Sequence, residues 1–140
     1  MSTRLRLRLT MPMLTAAVAV SPVSHGGEHA VAVELNKLEA AGENCRAYLV
    51  ATNKSNAAFR SMKLDLVMFD VDDLIAKRLA VDIAPLPANK TRVKVFDMTK
   101  LACDRVKKIL LNGVMQCDDG TGANCDAAVD ISSRTVPLIE

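Results

Sequence analysis

Histidine, cysteine and clustered carboxylates are the residue types in this 140-residue chain that are able to carry chemistry. Only two histidines occur, His25 and His29. A Ser-His-Asp or Cys-His mechanism needs an imidazole base inside a folded site, and beyond His29 the sequence offers none. His25, Glu28 and His29 are spaced to bind a metal from a flexible tail, although a solvated linker is the simpler account. Asp70-Val71-Asp72-Asp73 starts like a calcium loop but lacks the glycine and the closing glutamate that such a loop needs. It reads better as a polar turn between strands. Asp118, Asp119 and Asn124 have the oxygen ligands for a second cation site, and a soluble loop tip explains them as well.

The four cysteines, Cys45, Cys103, Cys117 and Cys125, lie far from the N-terminus and are even in number. Zinc sites and redox dithiols use close pairs such as Cys-x-x-Cys, and no such pair is present. Two structural disulfides are therefore expected, with three connectivities open to them. Strand alternation favours Cys45–Cys103: Cys45 opens the second strand and Cys103 follows the fifth, at the same end of the domain. Cys117–Cys125 then staples the polar loop between them.

The elements that position these residues follow from the N-terminus onward. Residues 1–8 carry Arg4, Arg6 and Arg8 without an acid, residues 9–23 are mainly apolar, and Ser24-His25-Gly26-Gly27 is small and polar. This is the pattern of a secretory signal peptide. It sets the expected boundaries at 1–26 for the signal and 27–140 for one domain. The arginines alternate with leucines and form no twin pair, so the general secretory route is expected. The apolar run is short for a permanent membrane helix. Without the three arginines, the 18 basic residues fall to 15 against 16 acidic ones. Such a balance provides no electrostatic reason to seek nucleic acid or anionic lipid. With aromatics at 3% and no Trp, the core must be aliphatic and stacking platforms are excluded.

Beyond the signal the period is that of strands. Val31, Val33 and Leu35 alternate with polar residues, residues 40–44 form a loop, and residues 45–52 make a second strand ending at Asn53-Lys54-Ser55-Asn56. Met62, Leu64, Leu66 and Met68 face inward from a third strand, with Lys63 and Asp65 outward. Residues 74–83 return, with Lys77 and Arg78 exposed. After Pro85-Leu86-Pro87, the pattern places Thr91, Val93 and Val95 inward and Arg92 and Lys94 outward. Arg92, Lys94, Lys77 and Arg78 are candidates for a basic sheet face. A helical turn is expected within 98–104, then a long strand over 106–116 bent at Gly113, a short strand over 127–131 and an irregular tail. Asn53-Lys54-Ser55 and Asn89-Lys90-Thr91 are glycosylation sequons that matter only in a eukaryotic secretory pathway. The reading is all-β: a single immunoglobulin-like β-sandwich of about seven antiparallel strands.

Asn53-x-Ser55, the strand ending Phe69-Asp70, the Asp-rich turn and Leu86-Pro87-Ala88-Asn89-Lys90-Thr91 together resemble the FxLYD-like immunoglobulin-type domains of bacterial envelope proteins. The chain is also similar to small exported alphaproteobacterial proteins described by a Tat pathway signal sequence domain. The resemblance covers residues 31–117. It implies an extracytoplasmic binding or structural role and supplies no catalytic residue.

The function expected is that of a non-enzymatic periplasmic or secreted module that binds an envelope protein through a sheet edge or loop end. It would need no cofactor and would have no membrane span in the mature chain. A calcium- or metal-dependent module using the acidic loops is the alternative. A carboxylate-only enzyme would need a deep cleft, which so small a domain poor in aromatics seldom builds.

Overall fold

The computed structural model describes residues 30–121 and 129–140. Eight strands follow in order: β1 (Val31–Ala41), β2 (Asn44–Asn53), β3 (Ser61–Asp70), β4 (Ile75–Asp82), β5 (Thr91–Met98), β6 (Val106–Asp118), β7 (Val129–Ser133) and β8 (Leu138–Ile139). A short 3-10 turn, Cys103–Arg105, leads into β6. No α-helix occurs among the described residues, and the all-β expectation holds.

Strict alternation of buried and half-buried residues along β2 puts Cys45, Ala47, Leu49 and Ala51 on one face; in β3 Met62, Leu64, Leu66 and Met68 form the core face, while Asp65 and Val67 on the opposite face are buried as well. Period-two burial of this kind is the signature of a strand with one face on a core. The strands form two four-stranded sheets, β5-β2-β1-β7 and β4-β3-β6-β8. Their inner faces share one cluster, to which Val31, Val33 and Leu35 contribute from the first sheet and Leu64, Leu66 and Ile109 from the second. As expected, the core is aliphatic; Phe59 is its one fully buried aromatic among the described residues.

Two local devices shape the sheets. Gly42, with φ of 62°, takes the first position of a two-residue hairpin turn between β1 and β2, where the positive φ suits glycine. The loop expected over 40–44 is thereby reduced to Gly42 and Glu43. Gly113 sits at φ 153°, where the β3–β6 register slips between Asp65 and Leu66, and so it is the bend expected of it.

Three expectations are corrected. The strands are not all antiparallel: β7 runs parallel to β1, and β8 runs parallel to β6. The last strands close open edges of both sheets, and their direction is dictated by the sheet they reach after β6. The tail is not wholly irregular, because Ser132 and Ser133 belong to β7 and β8 adds an eighth strand. Finally, the faces of β5 are inverted. Val93 and Val95 pair with the outward residues Val50 and Tyr48, whereas Lys94 and Arg92 pair with the inward Leu49 and Ala51. Odd-numbered Val93 and Val95 compete for the core with even-numbered Phe96 and Met98. The larger pair wins, with Met98 fully buried and Phe96 packed on the core.

Cys45 in the first sheet is bonded to Cys103, in the turn that enters β6 of the second, across a sequence separation of 58. On the chain-entropy account a closed loop of that length contributes about 4 kcal/mol. Replacing both cysteines by alanine is expected to lower the free energy of urea unfolding by about that amount, with the far-ultraviolet β signature retained.

Candidate interaction surface

The acidic turn after β3 is occupied by its own chain. The Asp70 carboxylate accepts the backbone N–H groups of Asp72 (2.9 Å) and Leu74 (3.0 Å), which makes it the cap of the hairpin. Asp73, at φ 61°, is paired with Lys107 (2.5 Å) and Lys108 (2.9 Å), and these hydrogen bonds hold its carboxyl below the usual range. A cation at this turn would have to displace two ammonium groups. Asp118 pairs with Arg60 at 3.4 Å and accepts the Gly120 N–H, while Asp119 binds the hydroxyl and N–H of Thr121. Among the described residues no group of three or more His, Cys, Asp or Glu side chains is placed to hold a metal ion. His25, Glu28, His29, Asn124 and Cys125 lie outside the described residues.

The sequon residue Asn53 ends β2 with 1% of its surface exposed. Its Nδ2 donates to the carbonyls of Ala57 (2.7 Å), Leu86 (3.1 Å) and Pro87 (3.1 Å). Its Oδ1 accepts from the Ser55 N–H (2.9 Å) and hydroxyl (2.8 Å). Sequence reading singled out both Asn53-x-Ser55 and the Leu86-Pro87 segment, and this amide joins them. Asn89, in contrast, is exposed and donates to the Asn56 side chain at 3.1 Å.

The four basic candidates do not share one face. Arg78, on β4, turns to the outer side of the second sheet and grips Asp65 with two bonds of 2.7 and 2.6 Å. Asn112 adds a third at 2.7 Å, leaving Asp65 only 4% exposed. Arg92 and Lys94 lie on the inward side of β5, which is the edge of the first sheet, and Lys77 reaches from β4 to Thr99 at 3.3 Å.

The outer face beside β5 combines apolar and polar groups. Val93 is 62% and Val95 43% exposed, next to Val50 and Tyr48. Below them Arg46 binds Asp97 through bonds of 2.8 and 3.1 Å, and the Tyr48 hydroxyl donates to Glu39 at 2.5 Å. That bond raises the phenol and lowers the carboxyl from their ordinary values. Lys37 stands over the Tyr48 ring at 5.3 Å. Alternation alone assigns these valines to the core, and the signal that places them outside is the opposite phase of Phe96 and Met98.

Among the described residues no helix is long and apolar enough to cross a membrane. Comparisons of the chain with protein-family models, with curated proteins and with solved structures found no match.

Asp65 titrates at about 2 in the fold, chiefly through the Arg78 bonds, against 3.8 when unconstrained. The stability it adds is therefore present above 3.8 and lost as the pH falls through 2. Urea midpoints measured down this range should fall, and the Asp65→Asn variant should show a shallower fall. Asn53→Ala removes one of two donors from each of the Ala57, Leu86 and Pro87 carbonyls, and the acceptor of the Ser55 N–H and hydroxyl, and is expected to cost about 1–3 kcal/mol in the same assay. Asn53→Asp should cost more at neutral pH, since it sets a carboxylate against those carbonyls.

Proposed function

We propose that this chain is an exported, non-enzymatic module of the periplasm or cell exterior, which binds another envelope protein by adding a strand of that partner to β5. The observation that carries this reading is the edge itself. β5 ends the first sheet, so among the described residues one side of its backbone has no neighbouring strand, and two exposed valines stand on its outer face. Unpaired backbone N–H and C=O groups offer hydrogen bonds to an incoming strand, and the valines offer it apolar contact.

The signal at 1–26 belongs to this proposal, with 27–140 as the exported domain. So does an immunoglobulin-like assignment of the sandwich, which the inter-sheet bridge from β2 to the start of β6 supports. A second bridge, Cys117–Cys125, completes the proposal; Cys117 lies near the end of β6. Intact mass before and after reduction reads both points, expecting loss of the leader and the mass gain of two disulfides.

Affinity capture from an envelope fraction tests the binding role. The wild-type protein is expected to retain a reproducible partner. V93K/V95K, which changes two exposed side chains and should leave the fold intact, is expected to lose it. A monomer that retains nothing, or capture indifferent to the substitution, would remove the edge reading.

A further inference from the structure

Nine of the described Lys and Arg side chains stand within salt-bridge distance of a carboxylate. Those without such a partner are Lys63, Lys77, Lys90, Arg92, Lys94 and Lys100. Their placement is uneven. Arg92 and Lys94 are on β5, Lys90 precedes it, Lys100 follows it, and Lys77 reaches Thr99 just past its end. Only Lys63 lies elsewhere, opposite Asp82 in the β3–β4 ladder. A domain whose charges otherwise nearly balance thus concentrates its uncompensated cations along one edge strand.

From this we infer that the partner of β5 is an extended acidic segment, with carboxylates and apolar side chains on alternate residues. The inference rests on the edge-binding reading above and adds the chemistry of the strand that binds. Residues of an added strand alternate between the two faces of the sheet. Those on the outer face meet Val93 and Val95; those on the inner face meet Arg92 and Lys94. Opposite charges across a strand pair are favourable, and like charges are unfavourable.

The geometry also separates β5 from the other free edge nearby. Its ladder to β2 runs through eight consecutive pairs, Cys45↔Met98 to Thr52↔Thr91, without a shift. The β3–β4 ladder slips between Met68 and Phe69, which twists the start of β4 away from regular pairing.

A second copy of the chain is a poor occupant. Antiparallel self-pairing centred on Val93 sets Arg92 against Lys94, and pairing centred on Lys94 sets that residue against itself. Centring on Val95 avoids both clashes but places Val93 opposite Asp97. Charge therefore turns the edge from self-association toward an acidic partner.

Two synthetic probes test this: eight-residue peptides of alternating Val and Glu or alternating Val and Lys, N-methylated along one edge to stop self-stacking. Each is titrated against the whole exported protein with its disulfides intact, while amide exchange of residues 91–98 is followed. The Val–Glu probe should bind about tenfold tighter than the Val–Lys probe, weaken with salt and slow exchange in β5. R92E/K94E should reverse the order of the probes. Equal binding of both probes, or Val–Glu binding that leaves β5 exchange unchanged, would overturn the inference. If neither probe binds while V93K/V95K still abolishes partner capture, the acidic strand is overturned and the edge reading stands. If capture survives that substitution, the edge reading falls, and this inference falls with it.

Discussion

A buried carboxamide at the end of β2 reinforces two connecting segments that also meet at the Phe59–Leu86 bridge and at the Asn89–Ser55 backbone bond. The carbonyls of Ala57, Leu86 and Pro87 are turned toward one point, and the Asn53 amide is the donor there. Each of these carbonyls also accepts a second bond, from the Ser55 hydroxyl, the Phe59 N–H and the Lys90 N–H, so the side chain completes a network that joins the two connections, 54–60 and 83–90. At the other end of the same strand, Cys45 is bonded to the turn that enters β6. One strand is thus tied at both ends, by hydrogen bonds to loops and by a covalent bond to the opposite sheet.

What could be read from the sequence depended on how many signals agreed at each element. In β3 Lys63 and Asp65 mark the face opposite Met62, Leu64, Leu66 and Met68, which makes the core face legible, while the burial of Asp65 and Val67 on that opposite face is not. Gly113 was readable as a bend because glycine inside an apolar strand has few other uses. The Cys45–Cys103 bond followed from counting strands. In β5 two apolar sets stood in opposite phase, and local alternation does not rank them; only the neighbouring β2 does. The parallel pairings of β7 and β8 were invisible for a different reason. They depend on which sheet edges remain open after six strands have paired, which is a property of the assembled fold. Asn53 read as a turn former, and its role as a hub depends on residues more than thirty positions away.

Charge is distributed with the same economy. Asp65 lies on the outer side of the second sheet, yet Arg78 and Asn112 cover it, so an outward carboxylate becomes part of the packing. Asp73 gathers two lysines from β6 and ties the β3–β4 hairpin to it. Asp65, expected merely to face outward, and Asp73, a member of the candidate calcium loop, are both engaged in holding strands in place. The cations left over collect where the first sheet ends, on a strand whose apolar residues face the wrong way for a core. The valines and cations of β5 are thus side chains that the described fold leaves outside its core and its salt bridges.

The parallel pairing of β1 with β7 sets an order on the chain's assembly. Among the described residues β1 is the first strand to emerge during synthesis, and Val129–Ser133 are needed to cover its outer edge. Until β7 is made, that edge stays open and the first sheet lacks a side. A nascent or truncated chain ending before β7 would expose a long template for misplaced pairing. Closure of the first sheet therefore waits for β7, the seventh of the described strands.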